Sequence, residues 1–193
     1  HEDAIFPVRN AGIPINIRNT NDPSAPGTMI VSGTSEYDSK LVITGIAGKK
    51  GFSVITIEKD MMNSEIGFGR KVLEVLEDND VSFEHLPSGI DNMSVVVESK
   101  ALDGRRDKVL SALNRAVKAD RVTIEDGLAL IATVGHGMVK YKGTAARVFN
   151  AISEAGINIR MIDQGSSEFS IIVGVEEHDF DNALRAIYGE FVK

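Results

Sequence analysis

Apolar positions along the chain fall into two rhythms. "FSVITIE" (52–58) and "LALIATV" (128–134) are short β-branched or apolar runs, which read as strands. "GFGRKVLEVLEDN" (67–79) sets Val72, Leu73 and Leu76 at helical spacing, and "GTAARVFNAISEAG" (143–156) does the same with Val148, Phe149 and Ile152. Gly67 and Gly143-Thr144 open these helices, while Asn79-Asp80 and Gly156 close them. Each is followed by a strand, a turn and a second strand, in "DVSFEHLPSGIDNMSVVVES" (80–99) and "GINIRMIDQGSSEFSIIVGV" (156–175). "DGRRDKVLSALNRAV" (103–117) and "DFDNALRAIYGEF" (179–191) add a second amphipathic helix each, with Asp103 and Asp179 expected as N-caps. "RVTIED" (121–126) is a further strand.

The two sets are one pattern written twice. Val81 matches Ile157, an offset of 76 (157 less 81), which also pairs Gly67 with Gly143, Val72 with Val148 and Leu76 with Ile152. The same offset sets Val54-Ile55 against Leu130-Ile131, and without a gap carries Met93–Val97 onto Phe169–Val173. The order β-α-β-β-α-β is the ferredoxin-like split unit. The second copy runs to Lys193 without its fourth strand, and "KLVITGIA" (40–47) is a strand with no other claim on it. The expected fold is α+β: two such units, with 50–127 inserted in a second unit made of 40–47 and 128–193. Residues 1–39 read as a helix end, a strand and a Pro/Gly loop, the tail and linker of a preceding domain. A chain opening on His1 is expected to be a fragment of a longer one.

Composition narrows the function classes. A net charge of −7 argues against nucleic acid or an anionic membrane as partner, and the strands lack the aromatic platform of RNA-binding units of this order. With no cysteine, disulfides and thiolate chemistry are excluded, and no apolar run approaches membrane-spanning length. A cytoplasmic location is the expectation. His85, His136 and His178 lack metal-ligand spacing, and "GRRDK" (104–108) reads as a solvated basic face. No Ser/His/Asp order or close carboxylate pair suggests catalysis.

"GIPINIRNTNDPSAPGTMI" (12–30), "VGHGM" (134–138) and "INIRMIDQGSSEFSIIVGV" (157–175) resemble the C-terminal part of aspartate kinases (aspartokinases). There, an amino-acid-kinase catalytic domain precedes two ACT domains, the first inserted in the second. The resemblance covers essentially the whole chain. It implies a regulatory region that binds an end-product amino acid, lysine or threonine or both, and transmits feedback inhibition. It also implies a homodimer formed through the ACT domains. The family's phosphate-gripping Lys-Phe-Gly-Gly segment has no match, so these residues are expected to hold no cofactor and perform no catalysis. The parent enzyme would use ATP and Mg to phosphorylate aspartate. The alternative is an ACT-type dimerisation module with no effector of its own.

An amino acid presents a carboxylate and an ammonium group, and the loop "MMNSEIGFGRKV" (61–72) leads into a helix N-terminus with Gly67-Phe68-Gly69 at its start. Glu84, on the neighbouring strand, would receive the ammonium. By resemblance to lysine-inhibited aspartate kinases, the effector positions are Met61, Asn63, Ser64, Gly67, Phe68, Gly69, Ser82, Phe83 and Glu84. A plain helix cap is the other reading of the glycines, and a core or interface role the other reading of Phe83. The second copy has Arg160 in place of Glu84, which points to a structural or dimer-forming role there.

Overall fold

A computed structural model describes residues 2–31 and 41–192, with side chains from Ile5 onward. Two compact units emerge, one running to Leu41 and the other from Val42 onward. Lys40, the first residue of the expected strand 40–47, lies outside the described residues.

The smaller unit holds helix α1 (Glu2–Asn10) and an antiparallel pair, β1 (Ile15–Ile17) and β2 (Thr28–Ile30), with Ile15 opposite Ile30. The Pro/Gly loop therefore ends in a strand the sequence pattern did not signal. Gly27 at its end has φ +77°, and a Cβ there would stand 2.4 Å from the Ile17 carbonyl oxygen, so no other residue fits. Arg18 closes the loop by donating to the Ala25 carbonyl at 3.1 Å.

The larger unit runs β3 (Gly45–Glu58), α2 (Phe68–Glu77), β4 (Asn92–Glu98), α3 (Arg106–Val117) and β5 (Arg121–Val134). It continues with α4 (Thr144–Glu154), β6 (Met161–Asp163), β7 (Ser170–Glu176) and α5 (Phe180–Phe191). The strands form one antiparallel sheet in the order β4-β3-β5-β7-β6. The fold is α+β, with two ferredoxin-like halves sharing this sheet.

Four short strands expected at the centre are in fact two long ones. Gly45–Lys49 pair with Leu130–Val134 and Val54–Glu58 with Arg121–Glu125, all within β3 and β5. The ladder has two-fold symmetry: Gly45 faces Val134, and Arg121, the counterpart of Gly45 76 residues on, faces Glu58, the counterpart of Val134. Near the middle the register slips, beside Gly51 (φ +92°) and Gly127 (φ +81°). Glycine takes that conformation without steric cost, so each strand bends where "KKG" and "DG" looked like breaks.

The repeat register also needs correction. Ile55 faces Val95 while Ile131 faces Val173, so across β4 and β7 the offset is 78 (173 less 95). The second copy's turn is two residues longer, and Met93–Val97 correspond to Ile171–Val175, not Phe169–Val173. The first of the two strands expected within 80–99 is also irregular. It meets β4 through isolated bridges, His85 with Val96 and Ser88 with Met93. Pro87, lacking an N–H, contributes only its carbonyl, which accepts from Ser94 at 2.8 Å.

Neither aspartate caps its helix through its side chain. α3 starts after Arg105, whose guanidinium donates to the carbonyls of Asn79 (2.8 Å) and Asp80 (3.1 Å) beyond α2, and Asp103 closes a short 3₁₀ turn instead. Asp179 stands at the N-cap of α5, but its carboxylate turns to His178, 3.4 Å away.

Three apolar clusters hold the larger unit. Ile55, Ile57, Val95 and Val97 face Val72, Leu76, Val109 and Leu113 of α2 and α3. Ile131, Ile171, Val173 and Val175 face Val148, Ile152, Ala183 and Ile187 of α4 and α5. The third, Phe52, Val96, Leu128, Leu130 and Met161, alternates with these and lies on the helix-free side of the sheet. That side is concave, because the sheet's two outer edges meet: His85 Nδ1 lies 2.7 Å from Asp163 Oδ2.

Gly51→Ala and Gly127→Ala should each destabilise the chain by about 1–2 kcal/mol through left-handed backbone strain. A Cβ at Gly51 meets nothing within 4 Å, so a urea melt reads the strain without a clash. Unchanged midpoints would show that the bends do not depend on glycine.

Candidate functional site

The loop between β3 and α2 is tied down by its neighbours. Met61, at φ 58°, donates its N–H to Asp91 Oδ1 (2.9 Å), and Asn63 donates its N–H to the Ile90 carbonyl (3.1 Å). The Ser64 hydroxyl donates to the Met61 carbonyl at 2.8 Å. Glu65, which no sequence motif singles out, sits between Lys59 and Lys71, with Lys71 Nζ at 2.6 Å. Its only sequence signal was a lysine six residues away on either side. Hydrogen bonds from Lys59 and then Lys71 pull its carboxyl down from 4.5 to about 2.

Gly67 (φ +81°) is the N-cap of α2, and the first intrahelical bond runs from Lys71 N–H to the Gly67 carbonyl at 3.1 Å. The N–H groups of Gly69 and Arg70 precede that bond and point out of the helix end, where the dipole favours a carboxylate. Phe68 is different. Its side chain is 4% exposed in the first core and its N–H goes to the Glu65 carbonyl, so it anchors the loop and offers no ring to a ligand.

Ser82, Phe83 and Glu84 stand elsewhere. Glu84 donates its N–H to the Val96 carbonyl, whereas the loop is fastened at Ile90 and Asp91, beside the start of β4 at Asn92. Four residues of strand separate the two levels, roughly 13 Å. Within one chain, then, the loop positions gather at one end of α2, and Ser82–Glu84 lie at the other. All three are exposed, and Phe83 is 45% exposed, which removes the core reading of that residue. Phe83 lines an open, mainly apolar groove of about 330 Å³ with Leu73, Leu76, Glu77, Val81 and Ser82.

Arg160 occupies the place of Glu84 in the second half: its N–H donates to the Gly174 carbonyl at 2.8 Å, as Glu84 does to Val96. Its guanidinium holds Glu176 Oε1 at 2.6 Å and Glu125. That half also opens its helix on a left-handed glycine, Gly143 (φ +84°), while His136 packs on the Phe169 ring at 4.7 Å. The basic stretch 104–108 is not a free face, because Arg106 grips Asp126 at 2.6 and 2.8 Å. Among the described residues no three His, Asp or Glu side chains gather as a metal would need, and no helix is long and apolar enough to cross a membrane.

Residues 131–191 match the family model described as ACT domain. Aspartokinase 3 of Bacillus subtilis is 44% identical over 192 residues, 99% of this chain and 42% of that protein. The crystal structure of Clostridium acetobutylicum aspartate kinase superposes with a TM-score of 0.93 at 54% identity, over 99% of this chain and 44% of that one. Escherichia coli aspartokinase III in complex with lysine and aspartate (T-state) shares the fold at 22% identity, TM-score 0.77, covering 100% of this chain and 42% of that one. The chain spans less than half the length of these relatives.

The fold is thus two ferredoxin-like units on one sheet, and residues 131–191 of the second carry the ACT match. Over 99% of its length the chain is similar to aspartokinases, as the resemblance of its motifs implied.

The depressed Glu65 carboxyl has a defined pH signature. Its contribution to stability is present above the ordinary value of 4.5 and is lost as pH falls through about 2. Carbon-13 titration should place its midpoint near the lower figure, and Lys71→Met should move it toward the upper. A midpoint already near the upper figure would mean the loop is not pinned by the two lysines.

Proposed function

We propose that this chain senses an end-product amino acid, lysine foremost, for a kinase that phosphorylates aspartate with ATP and Mg in the cytoplasm. The sensing unit is the first ACT unit, 50–127, inserted in a second made of 40–47 and 128–193, with 1–39 belonging to the tail of the catalytic domain. The observation that carries the reading is the split site: an open helix N-terminus beside Met61–Ser64, and an exposed carboxylate at Glu84, at opposite ends of α2.

A homodimer joins what one chain separates. Two copies laid edge to edge about a two-fold axis turn Ser82–Glu84 of one toward the 61–69 loop of the other. The effector carboxylate then meets the N–H groups of Gly69 and Arg70, with Asn63 and Ser64 alongside, and Glu84 of the second copy takes an ammonium. Gly67 and Gly69 keep side chains out of the way, and the apolar stem packs on Met61 and Phe83. Lysine in the E. coli aspartokinase III complex supports the choice of effector, and threonine is the competitor. Inhibition follows if the ligand binds one dimer arrangement more tightly than the other. The groove beside Phe83 and the exposed Ile90 favour a second reading, dimerisation without an effector.

Calorimetric titration with lysine, threonine, methionine and isoleucine separates the two. Lysine should release heat, and Glu84→Ala should weaken it about 10- to 100-fold through loss of a charged pair. The variant's unfolding midpoint should not change, because Glu84 is exposed. Unaltered lysine affinity in Glu84→Ala would sink the site assignment; no heat from any amino acid would leave the dimerisation reading.

A further inference from the structure

The concave side of the sheet opens into a cleft of about 290 Å³ lined by Val54, Thr56, Ser94, Glu125, Arg160 and Met161, among others. It sits between the halves, away from α2 and its loop. Its volume is at the lower limit of small-molecule pockets, roughly 300 Å³. We propose that this cleft is a second amino-acid site, for a short zwitterion whose side chain carries a hydroxyl. The proposal is independent of the lysine reading, since it shares no residue with it.

The floor is polar in one spot only. Thr56 and Ser94 face each other across β3 and β4, both half-buried, and neither hydroxyl bonds another described residue. Both hydroxyls are open to the cleft, and a ligand hydroxyl can serve both by donating to one and accepting from the other. Around them Val54, Val96 and Met161 form apolar walls that suit a short side chain and give no second carboxylate to a long cationic one.

At the rim, Arg160 and Glu125 already hold the two charges a zwitterion needs. Arg160 is anchored by Glu176, so releasing Glu125 does not free the guanidinium. Glu125 is the looser partner, with its side chain 59% exposed against 36% for Glu176. A ligand carboxylate takes the donor that Glu125 leaves, and Glu125 turns to the ligand's ammonium. One ion pair becomes two, with no net charge added. Two carboxylates against one guanidinium already leave the cluster negative, which favours an incoming ammonium.

Amide chemical shifts of the labelled chain would be followed with L-threonine as probe and L-valine as its hydroxyl-free isostere. Threonine should move the amides of Thr56, Ser94, Glu125 and Ile162, and valine should bind about tenfold more weakly. Thr56→Val should lower threonine affinity about tenfold without moving the unfolding midpoint, and Glu125→Gln, which also loosens the tie to Arg160, should lower it about as much at a temperature where the variant is folded. The proposal falls if valine matches threonine, if both variants bind as the parent does, or if no amide in the cleft responds. Shifts confined to 61–69 and 82–90 would overturn it too, while leaving the lysine site intact. Lysine heat lost in Glu84→Ala but kept in Glu125→Gln distinguishes failure at one site from failure at the other.

Discussion

Everything in the larger unit hangs on the antiparallel pairing of β3 with β5. Each strand is 14 residues long, and each serves both halves: its start completes one, and its end begins the other. An antiparallel pair of repeats is its own two-fold partner, so one ladder generates the symmetry of the whole sheet. The left-handed glycines at 51 and 127 bend both strands at equivalent places, letting the sheet curl until His85 meets Asp163. Neither half could be cut out without unpairing a strand of the other.

On this symmetric frame the charges differ in a patterned way. Lys50 holds Asp181 in the first turn of α5 at 3.0 Å, and its counterpart Asp126 holds Arg106 at the start of α3. The same strand-to-helix tie is made twice with the signs exchanged, and Arg106, then Ser53, draw the Asp126 carboxyl below its ordinary value. Glu84 and Arg160 repeat the exchange at the sheet's edges. The arginine turns inward to two carboxylates and fastens the halves, while the glutamate stays in solvent. One position is thereby spent on architecture and its twin is left exposed.

Helices were legible because their signal is local: Val72, Leu73 and Leu76 repeat at the helical period, and a glycine marks the start of α2 and of α4. β-strand pairing was less so. Gly51 and Gly127 look like breaks in a string of letters, and only the ladder across them shows continuous strands. The longer second turn escaped because β-branched residues two apart look alike, so Val97 matched Val173 as readily as Val175. Phe68 lay in a loop motif that suggested contact with a ligand, yet apolar burial beside Val72 claimed its ring.

What the sequence determined by itself is the duplicated β-α-β-β-α-β order and the likeness to aspartokinases. Those follow from periodicity, composition and motif, all properties of neighbouring residues. The tertiary structure alone decided that Glu84 and the 61–69 loop stand at opposite ends of α2, and that Arg160, Glu125, Thr56 and Ser94 converge on one cleft. Such placements depend on which strands pair and how far the sheet curls. Contacts between residues far apart in the chain set both.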